Sequence, residues 1–237
     1  MHIHSLIAHR DVVNLQWTSA KHHPLVLLWQ RLRQFVEEDR QAGGSNAQQY
    51  TALIVDVGAN VGQSLSDPPP LLAPASQTSF ILFEARSAHV YKLERLRKKM
   101  GNRWAEIRVV HAALSRAPER NVTFFHNVEL DYGPWTGQQG SLGFHAKRPQ
   151  HDKQGVTVSK ETVNVTTLDN ELPPPGRTID WLKVDTEGFD NWVLFGGAAA
   201  LSRTRVVLIE LSSKMHSSPT RSSVYGEPMR GMYPSSL

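Results

Sequence analysis

Cysteine is absent from the 237 residues. That excludes disulfides, a thiolate nucleophile and thiolate-ligated zinc. It fits a reducing compartment, so a cytoplasmic setting is the expectation. Long apolar runs are missing too. No stretch reaches the roughly 20 residues that a bilayer-spanning helix needs, so no membrane partner is expected. The first thirty residues offer no basic segment followed by a clean apolar core, so no secretory leader is expected either. Candidate metal ligands are sparse. His2 and His4 form an H-x-H pair with no acid beside it, which predicts no metal site.

What is present is an ordinary globular composition. Residues are 40% hydrophobic and 20% charged, and the chain is long enough to bury a core in one large domain or two small ones. The formal net charge is +4. Basic side chains gather over Arg86–Arg108. There Val90, Leu93, Leu96 and Met100 recur at helical spacing, so the charges form the wet face of an amphipathic helix. A docking face for an acidic partner is the competing reading of the same charges.

Three regions divide the chain. Residues 1–46 form an N-terminal helical segment and linker: the first twenty show no clear period, Pro24 opens a helix to about Gln41, and "AGGSN" closes it. Residues 47–211 alternate short apolar runs with helical patterns. "ALIVDV", "SFILFEA", "IRVVHAAL", "IDWLKVD" and "RVVLIEL" are apolar on both faces, as a parallel sheet covered by helices requires. This predicts an α/β fold, a Rossmann-like doubly wound and mostly parallel sheet. Between Ser115 and Arg177, "NVTFFHNV" and "ETVNVTTL" read as strands of a β insertion after the third core strand, over the ligand edge of the sheet. Residues 212–237 are rich in Ser, Pro and Gly and read as a tail of loop or disorder.

The chemistry concentrates at strand ends. In "DVGANVG", Gly58 lets the chain turn sharply after a strand, and Gly62 permits close packing. The G-x-x-x-G spacing is not the G-x-G-x-x-G that cradles a pyrophosphate. Asp56 at the mouth of the turn would repel phosphate and suit a cation. S-adenosylmethionine, with its ammonium and sulfonium, fits that description better than NAD or ATP. Glu84 ends the second strand, where an acid can accept hydrogen bonds from both ribose hydroxyls. Asp185 and Glu187 end the fourth. They can share a face of the pocket, or they can cap the helix that starts near Gly188.

In order along the chain, "VDVGANVGQ", "FEA", "VVHAALS", "TLDNEL", "IDWLKVDTEGFDNWVLFGG" and "VVLIE" resemble the FkbM family of S-adenosylmethionine-dependent methyltransferases. The resemblance covers about residues 50–211. It implies a class I methyltransferase fold and methyl transfer, commonly to a hydroxyl of a sugar or small metabolite. By position, Asp56, Gly58, Asn60 and Gly62 would line the methionine end and Glu84 would hold the ribose. Ala113 and Leu114 would lie near adenine. Asp185 would sit beside the methyl group, and the insertion would border the acceptor pocket.

Two departures from the family pattern carry expectations. Pro68, Pro69 and Pro70 should end the helix after the glycine loop near Ser66. The family sheet usually continues past "VVLIE" with a sixth strand and an antiparallel seventh. Residues 212–237 offer neither, so the C-terminal hairpin should be incomplete and the edge exposed or covered by the N-terminal helix. For an alcohol acceptor, Asp185 or Glu187 is the candidate base, with His145 as runner-up; His111 reads as a core residue of the third strand. The leading expectation is an O-methyltransferase acting on a small-molecule or glycan acceptor. A non-catalytic descendant that retains the fold as a binding module and an RNA methyltransferase are the alternatives, with nucleic acid the less favoured partner.

Overall fold

The computed structural model describes residues 3–8, 11–16, 34, 51–66, 68, 73–127, 140–142, 158–172, 177–186 and 188–211. Its strands in chain order are β1 (Ile3–Ala8), β2 (Asp11–Gln16), β3 (Ala52–Val57), β4 (Thr78–Glu84), β5 (Glu106–His111), β6 (Ala113–Leu114), β7 (Glu119–Asn127), β8 (Gly140–Leu142), β9 (Val158–Thr166), β10 (Trp181–Val184) and β11 (Val206–Leu211). The helices are α1 (Gln63–Ser66), α2 (Ser87–Met100), α3 (Leu168–Glu171), α4 (Asp190–Phe195) and α5 (Ala198–Leu201).

Every residue of β3 and β4 is buried, because helices cover both faces of the sheet there. The five core strands are parallel and lie in the order β11-β10-β3-β4-β5. This is the expected Rossmann-like arrangement. One face carries Leu53, Val55, Val57, Ile81, Phe83, Leu182 and Val184, packed on Leu168, Val193 and Ala200 of α3, α4 and α5. The other carries Ile54, Phe80, Leu82 and Trp181, packed on Leu65 of α1, Leu93 of α2 and Trp104. Each fully buried leucine among these contributes about 1.5–3 kcal/mol relative to leaving it exposed.

The helix after the glycine loop is the four-residue stub the prolines predict, ending at Ser66. Leu65 is its fully buried residue. Gly62, at φ +88, faces Leu93 and Leu96 of α2, and a Cβ there would lie 2.7 Å from Leu96 Cδ2. The close packing expected of Gly62 is therefore with α2, not with the stub it precedes.

The edge beyond β11 departs from expectation. Strands β1 and β2 pair antiparallel as an N-terminal hairpin, and β1 pairs antiparallel with β11 over its whole length, from Ile3↔Leu211 to Ala8↔Val206. The full sheet runs β2-β1-β11-β10-β3-β4-β5. An N-terminal hairpin thus covers the edge that the C-terminal strands would take. Strand β1 is antiparallel to its neighbour and β2 is parallel to the core, which protects β11 from pairing with another chain. Of the helix expected over Pro24–Gln41, only Gln34 lies among the described residues, and it is helical. The tail at 212–237 lies outside them.

The third core run divides. Strand β5 ends at His111, and β6 leaves to pair parallel with β9 in a second sheet of order β6-β9-β7-β8. Here β9 and β7 run antiparallel from Glu119↔Val165 to Asn127↔Val158, with an irregularity between Glu119 and Val122. This is the expected insertion. His111 is not a core residue, contrary to its sequence reading: it is exposed and its Nε2 lies 3.0 Å from the Ala85 carbonyl oxygen. The reason is topological, because β5 is an edge strand of the main sheet and its outward residues meet solvent.

Candidate functional site

In a parallel sheet, residues in register face the same side, and so do residues two apart on one strand. Lys183 is in register with Asp56, and Asp56 with Leu82, two residues before Glu84. The Asp185 N–H donates to the Val57 carbonyl at 3.0 Å and continues the ladder one step past β10. Asp56, Glu84, Lys183 and Asp185 therefore lie on one face, at the carboxyl ends of three adjacent strands. That is where open α/β sheets bind ligands.

Asp56 is almost wholly buried. The Ser64 hydroxyl of α1 donates to its Oδ2, and Lys183 Nζ approaches its Oδ1 at 3.3 Å. The same ammonium lies 3.1 Å from Asp185 Oδ2. Burial alone would lower the Lys183 pKa. The charges of Asp56 and Asp185 and their hydrogen bonds reverse that and hold it above the ordinary lysine value. Asp56 thus acts inside the wall, while Asp185, with 30% of its side chain exposed, is the open carboxylate.

Glu84 is buried and gives each oxygen one backbone donor. Asn60 N–H bonds Oε2 and Arg86 N–H bonds Oε1, both at 2.8 Å. Burial pushes its carboxyl up to about 7; those two hydrogen bonds act the other way, and the Asp56 charge adds to the rise. A carboxylate oxygen can accept a second bond, so Glu84 keeps acceptor capacity while pinning the glycine loop. Asn60 sits at φ +53 and its buried Oδ1 has no hydrogen-bond partner among the described residues. Three carboxylates against a single ammonium on this face suit a cationic ligand.

Gly58, at φ +78, faces the protein itself. A Cβ there would run into the Asp185 carbonyl oxygen, so the close approach that the glycine permits is between the tips of β3 and β10. Leu114 is buried in the core with Leu53 and Val193, and Ala113 is buried against Phe124, Val163 and Val165 of the insertion. Glu187 and His145 lie outside the described residues.

Several contributors were not singled out from sequence. Buried Asp190 shapes the loop after Asp185, accepting from Thr186 N–H at 3.0 Å and Gly188 N–H at 3.2 Å. Burial raises its pKa against those bonds. Its signal is an acid in the first turn of a helix, where the dipole favours one. Buried Arg86 and His89 sit beside Glu84, with Arg86 Nη1 3.2 Å from His89 Nε2 and His89 Nδ1 3.9 Å from Glu84 Oε1. Asp169 of the "TLDNEL" motif accepts from Ala199 and Ala200 N–H, capping α5, so that motif residue is structural. The insertion borders the site: Ala85 and Phe189, from the loops after β4 and β10, pack against its cluster. Glu161 of β9 accepts from Ser87 N–H at 3.2 Å, beside Glu84.

The sequence model of the methyltransferase FkbM domain matches residues 56–222, more than half of the chain. The chain belongs to the FkbM methyltransferase family. The match opens on Asp56 and runs through every strand tip described above. Among solved structures, the chain is similar to methyltransferase FkbM from Methylobacillus flagellatus KT. Identity is 15%, with 67% of this chain and 32% of that one covered and a TM-score of 0.39. The chain thus spans about a third of that protein's length. Comparison with curated proteins gives no significant match. Among the described residues of this FkbM domain, no helix is long and apolar enough to cross a membrane, and no group of three His, Asp or Glu could hold a metal.

Proposed function

We propose that this FkbM-family chain binds S-adenosylmethionine at the carboxyl edge of β3, β4 and β10 and methylates a hydroxyl of a sugar or small metabolite. The observation that carries the reading is the shared face of Asp56, Glu84, Lys183 and Asp185 at the carboxyl ends of three adjacent strands. Glu84 would accept from the ribose hydroxyls. When bound, the cofactor supplies an electrophilic methyl on a sulfonium. The protein's contribution is alignment, proximity and exclusion of water.

Asp185 is the exposed carboxylate of the group. It would face the methionine end of the cofactor, whose ammonium its charge attracts, and would also accept the acceptor hydroxyl, orienting it and holding its proton. The insertion, packed on Ala85 and Phe189, would form the acceptor wall. A degenerate binding module loses part of its support, because β1 pairs along the whole of β11 and covers that edge of the core.

The test is calorimetric titration with S-adenosylhomocysteine on the wild-type chain and on Glu84→Gln. Saturable binding that Glu84→Gln weakens at least about tenfold, the loss of one charged hydrogen-bond acceptor, is expected. A wild-type chain that gives no heat and no shift in melting temperature would overturn the reading.

A further inference from the structure

Lys183 shares the face that carries the function just proposed but has no role of its own in it yet, and its place in the strand is costly. It interrupts "WLKV", whose other three residues are buried. A charge in such a strand is costly unless paired, and an apolar side chain of similar volume would often serve stability as well or better. Two carboxylates explain it. Asp56 and Asp185 stand on neighbouring strands and the same face, and Lys183 reaches both, at 3.3 Å and 3.1 Å. The second oxygen of Asp56 is held by Ser64 of α1. A continuous chain of polar contacts therefore runs Ser64, Asp56, Lys183, Asp185, from the helical stub to the exposed carboxylate.

We propose that Lys183 is a positioning residue: anchored on Asp56, its ammonium fixes the direction of the Asp185 carboxylate and so couples the glycine loop to the reaction edge. The proposal rests on the cofactor reading above. Asp56 is the anchor because it is held from both sides and almost fully buried. Asp185 is the positioned group because 30% of its side chain is open to ligand. Without Lys183, Asp56 and Asp185 face each other as uncompensated like charges, and Asp185 turns toward solvent.

The test is a double-mutant cycle of Lys183→Met and Asp56→Asn in the full chain, with Lys183→Arg as the charge-retaining variant. Affinity for S-adenosylhomocysteine is read by calorimetry and stability by urea unfolding. Lys183→Met should weaken binding at least tenfold, Lys183→Arg should recover part of that, and the double variant should bind no worse than either single one. Wild-type affinity in Lys183→Met, or losses that simply multiply in the double variant, would overturn the proposal. So would coupling that shows in urea but not in binding, since the lysine would then be structural only. A wild-type chain without affinity overturns the cofactor reading and this role together, whereas a binding wild type with an uncoupled cycle overturns the lysine's role alone.

Discussion

The two faces of the main sheet are built by the same strands and end differently. On one face, each of the central strands is apolar to its tip: Val57, Phe83 and Val184 are all buried, under α3, α4 and α5. On the other, the apolar layers of Ile54, Phe80, Leu82 and Trp181 give way at the last step to Asp56, Glu84 and Lys183. One residue of strand parity separates a closed core from a charged edge. The charged face is also the one with the shortened helix, since Leu65 of α1 packs there. The stub buries one leucine and stops beside the charged layer, and Ser64 of the same turn holds Asp56. The short helix therefore lies on the face that carries the charged tips, while the opposite face is packed under three helices.

The substitution that breaks this contrast most severely is Gly58→Ala. The new Cβ would collide with the Asp185 carbonyl at a backbone φ of +78, prising apart β3 and β10, which carry both faces. A loss above about 4 kcal/mol is expected, read as failure to give a cooperative urea transition. Gly188→Ala is the control. It also has positive φ, +104, but open space, so it should cost only about 1 kcal/mol. Leu182→Ala attacks the closed face alone. Leu182 is fully buried, and about 3 kcal/mol should be lost in urea unfolding. Affinity of the folded protein for S-adenosylhomocysteine should stay within about twofold, because sites without shared partners act independently. A large loss of affinity there would show that the faces are not separable.

Glu84 sharpens the comparison through pH. Its folded pKa of about 7 exceeds its ordinary 4.5. Between those values the folded state keeps a proton that the unfolded chain has lost. The Glu84 contribution to stability is therefore greatest below about pH 4.5, falls as pH rises to about 7, and is flat above, for a total on the order of 3 kcal/mol. Glu84→Gln should abolish that slope in urea midpoints taken across the range. If binding needs the ionised form, wild-type affinity should rise over the same interval, so the charged face alone trades stability for a ligand-ready state.

The core was legible where burial on both faces writes a continuous apolar run, as in "ALIVDV" and "SFILFEA". The stub was legible because proline removes a donor and restricts the residue before it. The N-terminal hairpin was not. Its partner β11 lies about two hundred positions away, and no local period announces an antiparallel pairing of that range. His111 was misread because an apolar run does not say which strand ends as the edge. On the charged face, Asp56, Glu84 and Asp185 are legible as acids at strand tips, whereas Lys183 reads only as a residue within a strand. Sequence shows which residues carry charge; it does not show that Asp56 spends one oxygen on a lysine from the neighbouring strand and the other on Ser64. The family motif hid a further difference, since its Gly58 serves a backbone contact with Asp185 and its Asp169 caps a helix.

The mildest perturbation addresses that last contact. Ser64→Ala removes one hydroxyl from the Asp56 carboxylate and leaves Lys183, the glycine loop and Leu65 in place. The expected cost is about 1 kcal/mol in urea unfolding, the ordinary net value of one hydrogen bond. If the stub's function is to hold Asp56, affinity for S-adenosylhomocysteine should fall by a few fold, and Ser64→Thr, which keeps the hydroxyl, should restore it. If Ser64→Ala costs the full 1 kcal/mol yet leaves affinity at the wild-type value, the four-residue helix is only a plug for the core beneath it. The charged face would then owe its order to β3, β4 and β10 alone, and the two faces would differ in composition but not in what supports them.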